Sequence, residues 1–160
     1  MSTRNMKILI LLLFPLIGKT QTFEKTKNTY LNESYIRYYD PLAGILIQKV
    51  NKINQDTLNK HYEIGLSVLT RSRSSDDFMK KGGIIMFEDK TYLLFMDPIY
   101  VNYFQEGKHQ YSIKHNLSES ELKLLQTKKI DFISVADKEN FIDKWRKQDL
   151  LKVFIEIEKL

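Results

Sequence analysis

The chain has 160 residues and a formal net charge of +5, with 42% apolar and 12% aromatic residues, three prolines and no cysteine. This length and composition suit one globular domain and are too rich in core-forming side chains for general disorder. The lack of cysteine excludes disulfides, thiolate nucleophiles, zinc ribbons, iron–sulfur clusters and attachment of a lipid to cysteine.

The beginning of the chain is typical of a secretory signal peptide. Arg4 and Lys7 form a short basic segment, and residues 8–17 are an unbroken apolar run. A membrane-spanning helix needs about 20 apolar residues, so we expect this segment to be removed rather than kept as an anchor. Signal peptidase favours small residues before the cut, which places cleavage between Thr20 and Gln21. A buried N-terminal element and an uncleaved anchor are the alternatives.

Removal of the signal changes the charge of the protein. It takes away three of the 25 basic residues and none of the 20 acidic ones, which leaves a net charge of +2. The remaining Lys and Arg residues are interspersed with acids, whereas a nucleic-acid-binding protein needs a concentrated basic face. We therefore expect no nucleic-acid partner, and no stable membrane span once the signal is removed.

The rest of the chain divides into a lead-in and a folded domain. Residues 21–39 are mostly polar without clear periodicity and are predicted to be a mobile polar lead-in. Residues 40–160 are predicted to form a single globular α+β domain, which begins with turn residues at 40–44. Apolar runs and period-two alternation predict strands at 45–50, 62–70, 84–87, 92–96, 99–104, 110–117 and 130–135.

Two helices are predicted near the C-terminus. Ser118 and Glu121 have the spacing of a capping box, which predicts a short helix at 119–126. Asp137 is predicted to cap a final helix, although residues 153–158 alternate well enough to be a strand instead. The expected fold is therefore α+β, a largely antiparallel sheet with a short capped helix near 119–126 and a C-terminal helix.

Candidate catalytic groups do not form a recognisable set. His109 and His115 would lie about 20 Å apart on one strand, so they cannot share a metal ion, and His61 stands alone. The acidic pairs at 76–77 and 88–89 are expected to be solvated turns. The sequence lacks a Gly-x-Ser-x-Gly elbow and a glycine-rich phosphate loop. We predict no catalytic residue, no metal site and no cofactor.

Aromatic side chains are the strongest candidates for a binding surface. Tyr92, Tyr100, Tyr103 and Tyr111 lie within twenty residues of one another. Tyrosine buries a ring while it keeps a polar tip in water, so a surface row of these rings would suit a glycan or a protein partner. The alternative is that they build the core and flanks of an ordinary sheet.

Several segments together resemble a known group of proteins. They are Gln21-Thr22-Phe23, Asp40-Pro41-Leu42-Ala43-Gly44-Ile45, Phe87-Glu88-Asp89-Lys90, and Leu117-Ser118-Glu119-Ser120-Glu121-Leu122-Lys123-Leu124-Leu125 leading into Lys128-Lys129-Ile130. With a short signal before Gln21, this pattern resembles small exported proteins of unknown function from Bacteroidota. The resemblance implies an exported protein and brings no activity with it.

The favoured hypothesis is a non-enzymatic binding or interaction domain, in the periplasm or outside the cell. It predicts that no cleft gathers ionisable groups, and a deep pocket joining His109 or His115 to a carboxylate would contradict it. One alternative is a cysteine-free hydrolase that acts on a glycan or an ester. The other is a membrane-anchored domain that keeps its signal.

Overall fold

A computed structural model describes residues 23–28, 33–54, 57–71, 81–104 and 107–160. These residues form ten strands and two helices. In chain order the elements are β1 (Glu24–Asn28), β2 (Glu33–Asp40), β3 (Ile45–Asn54), β4 (Thr57–Thr70), β5 (Lys81–Phe87), β6 (Tyr92–Pro98), β7 (Tyr100–Phe104), β8 (Lys108–Leu117), α1 (Glu119–Thr127), β9 (Ile130–Val135), β10 (Lys138–Phe141) and α2 (Lys144–Lys159).

Six of the strands form a large antiparallel sheet in the order β1-β2-β3-β4-β8-β7. In its central strands, apolar residues alternate with polar ones, so that the apolar side chains lie together on one face of the sheet. In β4 this set is Ile64, Leu66 and Val68, all buried. The edge strands β1 and β7 are shorter, as is common where a strand is paired on one side only.

The other four strands form a small antiparallel sheet in the order β10-β9-β5-β6. Its inner face includes Ile85, Phe95 and Ile133, which are fully buried. The inner faces of the two sheets, together with one side of each helix, contribute to one hydrophobic core. The small sheet therefore covers the large one on one side and leaves its own second face outward.

Both helices bury an apolar stripe in this core. In α1 the stripe is Leu122 and Leu125, and in α2 it includes Val153, Phe154 and Ile157. Residues 153–158, for which the sequence pattern allows either a helix or a strand, are helical. The apolar residues of α2 are spaced three and four apart, which suits a helix with one buried side. A largely antiparallel α+β fold with a C-terminal helix is thus confirmed.

The N-terminal part of the predicted lead-in differs from expectation. Residues 24–28 and 33–40 of the segment form β1 and β2 of the large sheet, with Glu24 paired to Arg37 at 2.9 Å. Strand β1 lies at the sheet edge and residues 24–27 are exposed, so a polar sequence suffices there and produces no apolar periodicity. The prediction of a polar lead-in is therefore wrong for these residues.

The final helix also begins later than predicted. Ala136 has φ 59° and forms, with Asp137, a two-residue turn between β9 and β10. Residues 138–141 pair with β9, and the helix starts only at Lys144. Asp137 therefore belongs to a hairpin and does not cap the helix.

The turn between β2 and β3 requires glycine. Gly44 has φ +67°, and a Cβ placed there would lie 1.9 Å from the carbonyl oxygen of Ser67. The same contact brings the Ser67 amide within 2.7 Å of the Gly44 carbonyl oxygen, to which it donates. Only glycine permits this approach of β4 to the turn.

Candidate functional site

The four predicted binding tyrosines are distributed over different surfaces. Tyr111 is fully buried in the core, so the prediction that it binds a ligand at the surface is corrected. Tyr100 and Tyr103 are exposed, but three positions apart on β7 they point to opposite sides of the strand. Tyr103 packs edge-on against His109, with ring centroids 5.7 Å apart. Tyr92 lies on the small sheet, and the four rings form no single row.

Tyr92 belongs instead to the outward face of the small sheet. Strand register places its ring in one row with Met86, Phe132 and Phe141. The rings of Phe132 and Phe141 lie 5.2 Å apart, which confirms that these neighbours share a face. We call this surface the outer face, and its side chains are Ile84, Met86, Tyr92, Leu94, Met96, Phe132, Ser134, Glu139 and Phe141.

The outer face is apolar and open to solvent. Its exposed fractions are 60% for Tyr92, 53% for Leu94, 66% for Met96 and 66% for Phe141. Among the nine described side chains of the face, Ser134 and Glu139 are the polar ones and none is Lys or Arg. An exposed apolar patch that crosses four strands is typical of a surface that another molecule covers.

The sequence contained a signal for this face. Residues 92–96 are apolar at every position, so β6 carries apolar side chains on both of its faces. In an antiparallel sheet with one solvated face, the second set is normally polar. The sequence pattern alone predicts only a strand at 92–96, because it does not reveal the face of each residue or the order of the strands.

A second cluster surrounds His115. Its Nδ1 atom lies 2.7 Å from Asp97 Oδ2, and its Nε2 atom lies 3.4 Å from the Glu121 carboxylate. The imidazole also stacks on Phe95, with ring centroids 4.4 Å apart. These contacts link β6, β8 and the first turn of α1.

Glu121 also binds Ser118, the residue that precedes α1. The Ser118 hydroxyl donates to its carboxylate at 2.6 Å, and the Ser118 amide donates at 2.8 Å. Burial raises the pKa of Glu121, but the Ser118 hydrogen bonds and the nearby His115 outweigh burial and hold the pKa below its ordinary value. The carboxylate is therefore ionised at neutral pH.

The His115 cluster joins a histidine to two carboxylates, a contact that would contradict the non-enzymatic hypothesis if it lined a deep pocket. The two nitrogens of an imidazole point apart, so Asp97 and Glu121 lie on opposite sides of the ring and do not face a common point. Among the described residues, no group of three His, Asp or Glu side chains is placed to hold a metal ion. The observed contacts suit a clamp between three elements.

The remaining candidates are separate from both clusters. His61 lies 3.3 Å from Glu63, on the large sheet. The acidic pair at 88–89 lies in the β5–β6 turn, where Asp89 binds Lys128 at 2.7 Å. The acidic pair at 76–77 and the predicted cleavage site lie outside the described residues.

Comparison of the chain with protein-family models, with curated proteins and with solved structures finds no match. Neither of the two described helices is long and apolar enough to cross a membrane. Function must therefore be inferred from the outer face and the His115 cluster.

Proposed function

We propose that this chain is an exported, non-enzymatic interaction domain that binds a protein partner through the outer face. Export is supported by the signal-like pattern at residues 1–20 and by the resemblance to small exported proteins. Binding is supported by one observation above all, the exposed apolar face around Tyr92, Leu94, Met96 and Phe141.

The composition of the outer face favours a protein over a glycan. Glycan sites place hydrogen-bonding side chains beside their aromatic rings, whereas here Ser134 is buried and Glu139 is at the edge. Methionine and leucine beside aromatic rings are typical of protein interfaces, where the centre is depleted of charge. The nine described side chains of the face also include none of the basic residues that anionic partners require.

Site-specific photo-crosslinking tests this proposal. A photoreactive phenylalanine analogue replaces Tyr92 in one variant and Tyr103 in the other, both in cells that export the protein. Tyr103 is a matched control because it is an exposed tyrosine on a different sheet. We expect a discrete crosslinked product from position 92 and none from position 103. Equal crosslinking from both positions, or none from position 92, would contradict the proposal.

The hydrolase alternative rests on the His115–Asp97 contact. A carboxylate on Nδ1 orients an imidazole for proton transfer at Nε2 in many hydrolases. We propose that the short helix at 119–126 is held by its Ser118 cap. In this arrangement the Ser118 hydroxyl and the Glu121 carboxylate bind each other, and the Nε2 atom of His115 faces the Glu121 carboxylate. Turnover of esters or glycans by the wild type that His115→Ala abolishes and His61→Ala retains would favour the alternative.

A further inference from the structure

We infer that the partner of the outer face is a second copy of this chain, so that two small sheets stack face to face in a two-fold dimer. The inference rests on the proposed function, because it names the partner of the same surface. Two antiparallel sheets that pack on each other through apolar faces are a common arrangement, with about 10 Å between the sheets.

The size of the outer face meets the requirement of a dimer. Fully exposed Tyr, Phe, Leu and Met side chains each present roughly 200 Å², so the four most exposed residues of the face offer about 500 Å² per copy. Stacking two copies would bury about 1,000 Å² from these residues alone, which is near the lower limit of a specific interface. Ile84, Met86 and Phe132 add to this area from the centre of the face.

A second copy would also be chemically complementary to the outer face. Each copy would place an apolar centre against the same apolar centre of the other copy, and the described side chains of that centre carry no charge. Self-pairing therefore leaves no ionised group unpaired in the middle of the interface, where such a group would be costly.

Sedimentation velocity over a wide concentration range tests the dimer, with the processed chain isolated from an exporting host. We expect wild type to shift from monomer to dimer as concentration rises. Leu94→Asp places a charge in the centre of the face and should raise the dimer dissociation constant about 100-fold or more. Leu69→Asp is the matched control, since Leu69 is 49% exposed on the large sheet, and it should dimerise as wild type does.

Circular dichroism of each variant confirms that the fold is retained. A wild type that stays monomeric, or a Leu94→Asp variant that dimerises as wild type does, would overturn the inference. If a monomeric wild type still gives a heterologous crosslink from position 92, the proposed function stands without the dimer.

Discussion

Asp89 shows how a single residue fixes the β5–β6 turn beside the outer face. Its carboxylate accepts from the Thr91 hydroxyl at 2.6 Å and from the Thr91 amide at 3.0 Å. The Lys128 ammonium at 2.7 Å contributes most to the pKa of Asp89, which these contacts together lower from 3.8 to about 2. The Asp89 carboxylate therefore stays ionised in the folded protein at pH values at which the same carboxylate in the unfolded chain is already protonated.

This lowered pKa predicts an acid-dependent loss of stability. Because the folded pKa lies below the unfolded one, Asp89 stabilises the fold above pH ~4 and loses this effect between about pH 4 and pH 2. Urea unfolding should show Asp89→Asn less stable than wild type at pH 7, with the difference shrinking toward pH 2. High salt should reduce it, since the pair is exposed. A difference that is constant with pH would contradict the assignment.

At the scale of elements, α2 is attached to the large sheet by a buried ion pair. Arg146 donates to Asp40 at the end of β2, and both side chains are buried. Asp40 also accepts from the amides of Leu42 and Ala43 at 3.0 Å each, which shapes the turn that follows β2. One carboxylate therefore holds both a turn and a helix.

Removal of Arg146 should be costly for this reason. Arg146→Ala leaves a buried carboxylate without its counter-charge, and we expect a loss of about 3 to 5 kcal/mol in the free energy of unfolding. Arg37→Ala, which breaks the exposed pair with Glu24, should cost at most about 1 kcal/mol. Urea unfolding of both variants measures the contrast. Equal losses would show that burial of the Arg146 pair does not matter.

Whether an element could be predicted from the sequence depended on how much of it is buried. The alternation of β4 is strong because one face of a central strand is buried, and the sequence sufficed there. The sequence failed at β1, where residues 24–27 are exposed to solvent and leave no apolar pattern. The sequence also did not predict the hairpin turn at Ala136. This turn has a positive φ at an alanine, whereas the residues that usually indicate such a turn are glycine and asparagine. Local pattern is informative only where burial imposes it.

At the scale of the whole molecule, the candidate site depends on strand order. The sequence placed Tyr92 and Tyr111 in one group, yet one is on the outer face and the other is in the core. Phe141 joins Tyr92 only because β10 and β6 form the two edges of one sheet, with β9 and β5 between them. The His115 cluster likewise needs β6, β8 and α1 to meet. Such long-range neighbours could not be derived from spacing alone.

The predicted export of the whole molecule has a direct test. We expect the mature protein to begin at Gln21, because Thr20 best suits the last position before the signal-peptidase cut. Intact mass and N-terminal peptide mass spectrometry of the protein from an exporting host measure this. A product that keeps residues 1–20 and stays with the membrane would support the anchored alternative instead.

Hydroxyl-radical footprinting tests most directly whether the outer face is a binding surface. The protein is labelled in the fraction of the exporting cells where it accumulates, and again after purification and dilution. We predict that Met96 and Phe141 are protected in the first sample and labelled in the second, while Tyr103 is labelled equally in both. Equal labelling of Met96 and Phe141 in the two samples would mean that nothing covers the outer face and would contradict the proposed function.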